Sequence, residues 1–190
     1  MAQLGRCAQR LLKDRSGVVA LEFALVLPML VTMLLGAAEF GRAILLSQKL
    51  QNGAFILADL VGRDADLDTC TLTDVFSALE IFMEPFDFAG SGTAVVTAVK
   101  GTAFTGPIVA WQETGDGSPV AVSKVGAVLE EASIPDVITL DTDETLIVTE
   151  VLFDFEPLFG LLMDPYRIHK VAYHKPRLGT LDTLSVCPSS

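Results

Sequence analysis

The residue types that usually carry catalysis are scarce in this chain. Its 190 residues include two histidines, three cysteines and one tryptophan. His169 and His174 stand five apart in the segment YRIHKVAYH. On a strand that odd spacing sends them to opposite faces, so neither a metal pair nor an acid–base pair is expected. No Gly-x-Ser-x-Gly elbow, phosphate-binding loop or zinc-protease helix occurs, and the expectation is a chain that is not an enzyme and takes no cofactor. Basic residues are few, 13 against 24 acidic, for a formal net charge of −11. Such an acidic body is a poor partner for nucleic acid. Asp64, Asp66 and Asp68 have the alternation of a calcium loop, but Thr69 stands where that loop needs glycine and Val75 where it needs glutamate. A solvated acidic loop and no metal site are expected there, and Trp111 is expected in the core.

What the chain has in excess is apolar residues, 51% of the total. One run holds much of that excess. From Val18 to Ala38 the sequence reads VVALEFALVLPMLVTMLLGAA, with only Glu22 and Thr32 polar. As a helix it would reach ~31 Å, close to the thickness of a bilayer's hydrocarbon core. A soluble protein's buried helix is rarely this long and apolar on every side. Residues 18–38 are therefore expected to span a membrane once.

Charge gives the orientation. Arg6, Arg10, Lys13 and Arg15 precede the run against a single acid, Asp14, while 8 basic and 21 acidic residues follow from Ala43 onward. Lysine and arginine beside a span mark its cytoplasmic side, so the N-terminus is expected inside and the body outside. Cys7 then falls on the reducing side. Cys70 and Cys187 fall on the exported side, where a disulfide persists if they pair; two free thiols are the alternative.

Helical spacing continues past the span through Leu46, Leu50, Ala54, Leu57 and Val61 without a proline. One helix over about 16–61 is expected, half in lipid and half in a head, kinked at Pro28 and slightly weakened at Gly53. A loop at 62–70 and a second helix over 71–83, ended by Pro85, follow. Gly90–Gly92 reads as a turn and 126–132 as a short helix. Strands are expected over 93–100, 108–112, 146–155 and 166–174 from their β-branched and aromatic content. In the third, Ile147, Val151, Phe153 and Phe155 share one face, with Glu150 and Asp154 on the other. With no long helix between most of these strands, the sheet is expected to be antiparallel.

The junction before the span carries the most specific signal. KDRSG ends a basic, polar leader at Gly17, and VVALE opens the apolar helix with a carboxylate, Glu22, at its fifth position. Charged residues at a bilayer centre cost roughly 2.5–3.5 kcal/mol, less near a helix end, so Glu22 calls for compensation. The pattern resembles the type IV prepilin processing site, which a membrane aspartyl peptidase cuts after glycine. GVVALEFALVLPMLVTMLLGAAEFGR resembles the N-terminus of TadE-like and TadG-like proteins of the tight-adherence (Flp, type IVb pilus) system. VTEVLFDFEPLFGLL and AYHKPRL, with Pro176-Arg177, resemble that family's closing strands and terminal element. Two departures stand out: Phe23 replaces the tyrosine usual in major Flp pilins, and the body is many times longer than theirs.

The resemblance implies a bacterial minor pseudopilin of pilin-like α+β fold, a long N-terminal transmembrane helix packed on a small antiparallel sheet. It implies a leader at 1–17, a helix at 18–61 and an exported head at 62–190. It implies residence in the inner membrane, with the head periplasmic or extracellular. Gly17, Val18 and Glu22 become the processing and assembly residues. The partners implied are the prepilin peptidase, other pilins and pseudopilins, the inner-membrane secretion and assembly platform, and membrane lipid. The alternative is an uncleaved single-pass anchor carrying a periplasmic binding or structural domain. In the head-proximal helix, Glu39 and Arg42 stand at i, i+3, where a local ion pair is expected.

Overall fold

The computed structural model of the chain describes residues 16–160 and 162–187. The basic leader through residue 15, including Cys7, lies outside the described residues. Helix α1 (Ser16–Val61) runs unbroken for 46 residues, through Pro28. At 1.5 Å per residue that is about 69 Å, roughly twice a bilayer core. The Thr32 hydroxyl donates to the Pro28 carbonyl at 2.8 Å, in the turn that follows the proline.

The two halves of α1 differ in surroundings. Every residue from Gly17 to Leu34 is exposed. Beyond it, Ala43, Leu46, Leu50, Ala54, Leu57, Ala58 and Val61 are buried, spaced three or four apart along one side. That side packs on strands β3 and β4 and on helix α2 (Thr69–Met83). Asp68 caps α2, its carboxylate accepting from the Thr71 amide at 2.7 Å. Helix α2 stops at Glu84, before Pro85, and buries Leu72, Leu79 and Met83. A Cβ on Gly53 would stand 2.8 Å from Leu79 Cδ1, so glycine there lets α1 and α2 approach closely. Lys49, one turn earlier, also ties the pair: its ammonium donates to the carbonyls of Phe82 and Glu84 and lies 5.1 Å from the Phe82 ring centroid. Where the sequence reads as a turn, a one-turn helix α3 (Phe88–Ser91) forms, with Asp87 capping the Gly90 amide.

Four antiparallel strands follow: β1 (Gly92–Lys100), β2 (Ile108–Thr114), β3 (Thr145–Phe155) and β4 (Tyr166–His174), in the order β2-β1-β3-β4. The fold is α+β, a long apolar helix on a small antiparallel sheet. A bulge in β2 leaves Ala110 unpaired between Val109, opposite Val99, and Trp111, opposite Ala98. The extra residue sends Trp111 and Val109 to different sides although they are two apart. Trp111 joins the helix-side core and donates its indole N–H to the Leu181 carbonyl at 2.8 Å.

The sheet is covered on both faces. Ile147, Val151, Phe153 and Phe155 face α1, as their alternation predicts. On the opposite face Val99, Val109, Leu146 and Val148 pack under Val125 and Ala132 of the long β2–β3 connection. That covering corrects one expectation. Residues 126–132 are not helical, and Leu129 takes a left-handed backbone (φ 69°) that breaks any helix there. Glu150, on the face opposite Val151 as its spacing predicts, is fully buried beneath the same connection.

The C-terminal tail closes the head. Arg177 donates its amide to Gly62 O and its guanidinium to Asp59 at the end of α1. Ser185 exchanges backbone hydrogen bonds with Leu67 and Thr69, and Cys187 is disulfide-bonded to Cys70, Cα–Cα 5.6 Å. The bond closes a sequence separation of 117 residues, worth about 4.7 kcal/mol in the chain-entropy account.

Candidate functional site

Glu22 lies on the fully exposed half of α1, one turn from Val18 and on its side of the helix. Gly17 sits in the first turn, with nothing within 4 Å of the place a Cβ would occupy. The three residues singled out by sequence thus share one helix end with no head structure over them. The described residues contain one helix long and apolar enough to cross a membrane, and its most apolar 18 residues are not buried in the protein. This fits a single-pass membrane anchor.

The opposite end of the anchor is built differently. At Gly36 and Glu39 the helix first becomes buried, against the β3–β4 connection. Strand β3 runs down α1 toward the span. The Thr149 hydroxyl donates to the Ala54 carbonyl at 2.8 Å, and ten residues later the chain reaches Glu39. Glu39 Oε1 accepts from the Phe159 amide at 2.7 Å and the Gly160 amide at 3.0 Å, while Oε2 is buried without a partner. The expected Glu39–Arg42 ion pair does not form. The Arg42 guanidinium lies over two aromatic rings, 5.7 Å from the Phe86 centroid and 5.9 Å from that of Phe155. Desolvation explains the change: a buried carboxylate gains more from two aligned amides than an exposed i, i+3 pair would supply. Glu39 was legible as a membrane-edge acid, but its partner lies 120 residues away and carries no local signal.

A second polar cluster lies on the far face of the sheet. Glu150 Oε1 accepts from the Lys124 amide and stands 3.0 Å from His169 Nε2, and Glu150 Oε2 accepts from the Ser123 hydroxyl. Serine, histidine and carboxylate suggest nucleophilic chemistry, but the geometry is wrong for it. Hydroxyl and imidazole each bond the carboxylate rather than one another, so the imidazole is not placed to take the serine proton. The Ser123 oxygen also accepts from the Val125 amide at 3.1 Å. The cluster satisfies a buried carboxylate and pins the β2–β3 connection to the sheet. Burial beside Glu150 raises the Tyr173 phenol above its ordinary value. His174 lies on the other face, its ring against Gly62, so the two histidines are separated as their spacing requires.

The acidic loop splits its roles. Asp68 is consumed as the α2 cap, and its contacts with the Thr71 and Cys70 amides hold it below the usual carboxylate range. Asp64 and Asp66 extend from the preceding loop, and no group of three metal-ligating side chains assembles among the described residues.

Residues 17–58 match the family model described as TadE-like protein. The match starts at Gly17 and covers almost all of α1. No curated protein and no solved structure gives a significant match to this chain. The GVVALEF and EFGR elements that carry the resemblance both lie within the residues, 17–58, that are similar to the TadE-like family.

Proposed function

We propose that the chain is a minor pseudopilin of a Flp-type pilus, processed by a prepilin peptidase after Gly17. A TadE-like domain suggests a membrane component related to the Tad pilus. The observation that carries the finer reading is the placement of Gly17, Val18 and Glu22 at the bare end of an apolar helix where that domain begins. Cleavage would leave the amine of Val18 within the membrane. In low dielectric it and the Glu22 carboxylate of a neighbouring subunit would neutralise one another and set the stagger between stacked helices.

The outer half of α1 supports stacking as well. Phe40, Ile44 and Phe55 are half or more exposed and lie together on the flank beside the buried ridge. An apolar strip thus continues from the span onto the head, where an isolated anchor has no use for one. In this reading the leader is cytoplasmic, the anchor lies in the bacterial inner membrane, and the head is periplasmic or extracellular. The partners are the peptidase, other pilins and the assembly platform. The role is structural, in surface adherence, rather than enzymatic.

The test is coexpression with and without the peptidase, for the native chain and for Glu22→Ala. The native chain should lose residues 1–17 only with the peptidase, and Glu22→Ala should abolish pilus assembly. Intact pili and normal cleavage in Glu22→Ala would remove the pairing from the account.

A further inference from the structure

We infer that the β3–β4 connection is a membrane-contacting loop, seated in the outer boundary of the bilayer beside the span. The inference rests on the anchor reading of α1 and adds a second lipid contact to it. Between Glu156 and Asp164 the connection carries no charge. Leu158, Phe159 and Leu162 are 59%, 54% and 46% exposed, a cluster of large apolar side chains on one loop.

The position of that cluster selects lipid as its occupant. Leu162 Cδ1 lies 2.6 Å from where a Cβ on Gly36 would stand, and Glu39 holds the Phe159 and Gly160 amides. Gly36 is two residues inside the outer end of the span, about 3 Å along the helix axis. The loop is therefore level with the boundary between headgroups and acyl chains, and its apolar surface is continuous with that of the anchor. Amphipathic segments bury their apolar face ~5–10 Å into that boundary. The flanking residues fit the same level. Arg42 lies one turn above Glu39, and Tyr166, 41% exposed, packs against Phe155 with ring centroids 5.3 Å apart. Arginine and tyrosine are the residue types that settle at headgroup depth. Glycine at 36 and a carboxylate at 39 then have one shared purpose: the first admits the loop to the helix surface, and the second fixes its backbone there. With the span and this loop both in lipid, the head is held in one tilt and rotation rather than swinging on a tether.

The experiment is spin-label depth measurement on the full chain in phosphatidylethanolamine/phosphatidylglycerol vesicles at high lipid-to-protein ratio. Cys7→Ser leaves the Cys70–Cys187 disulfide in place and frees the label chemistry for Leu158→Cys and Phe159→Cys. Leu25→Cys reports the span. Phe104→Cys, on a fully exposed loop at the opposite end of the sheet, reports water. Labels at 158 and 159 should collide with oxygen more than with a water-soluble nickel chelate, as at 25. Nickel access equal to that at 104 would overturn the inference while leaving the anchor intact. Low access to both reagents would also overturn it, by placing protein over the loop. A label at 25 that reads as water would remove the anchor reading and the inference together.

Discussion

Glu39 is nearly inaccessible to solvent and shares one oxygen between two backbone amides. Hydrogen bonds to a charged group contribute about 1.5–3 kcal/mol each, and removing the acceptor would leave both amides unpaired. Glu39→Ala should speed hydrogen exchange at Phe159 and Gly160 by at least tenfold, while Glu39→Gln, which keeps an acceptor oxygen, should change it less. Unchanged exchange in the alanine variant would show that the loop is held by its apolar contacts alone. The surface ion pairs act through pH. Hydrogen bonding to Lys100 holds Asp182 below the ordinary aspartate value of about 3.9, and Arg167 does the same for Asp154. A depressed carboxylate contributes stability that is present above its unfolded-state value and lost as pH falls through the folded one. Stability of the head should therefore be flat near neutrality and fall below about pH 4. Lys100→Met should shrink that acid-side slope in denaturant titrations; an unaltered slope would assign it to other carboxylates.

At the scale of elements, the inner ridge of α1 does most of the joining of helix to sheet. Leu50 is completely buried among α1, α2 and the strands, and Leu50→Ala should cost about 2–5 kcal/mol in unfolding of the detergent-solubilised chain. A loss under about 1 kcal/mol would mean the helix is not integral to the core. These elements were legible because their signals are local. The three- and four-residue spacing from Leu46 to Val61 marks α1, Pro85 marks the end of α2, and alternation marks β3. What was hidden depends on contacts distant in sequence. Glu150 sits on the polar face of β3, and only the covering β2–β3 connection, which lacks periodicity, makes that face an interior. The apolar residues of 126–132 suggest a helix, but a left-handed Leu129, whose amide donates to the Val109 carbonyl, and the Ala132 amide donating to the Pro107 carbonyl make a clasp instead. Arg42 spaced i, i+3 from Glu39 could not disclose the Phe86 and Phe155 rings that occupy it.

The whole molecule is a head mounted on the upper half of one helix, with the lower half bare. The tail completes the head by returning to α1 through Arg177, to Trp111 through Leu181 and to α2 through Cys187. Among the described residues none of this construction covers the first turns of α1, which leaves Gly17, Val18 and Glu22 open, as the proposed processing requires. Processing at that end separates a pilus subunit from a plain anchor. The measurement that decides it is the N-terminal residue of the protein isolated from its native membrane, read by sequencing and intact mass. A pseudopilin should begin at Val18, with residues 1–17 gone. A chain that still begins at Met1 or Ala2 would contradict the account.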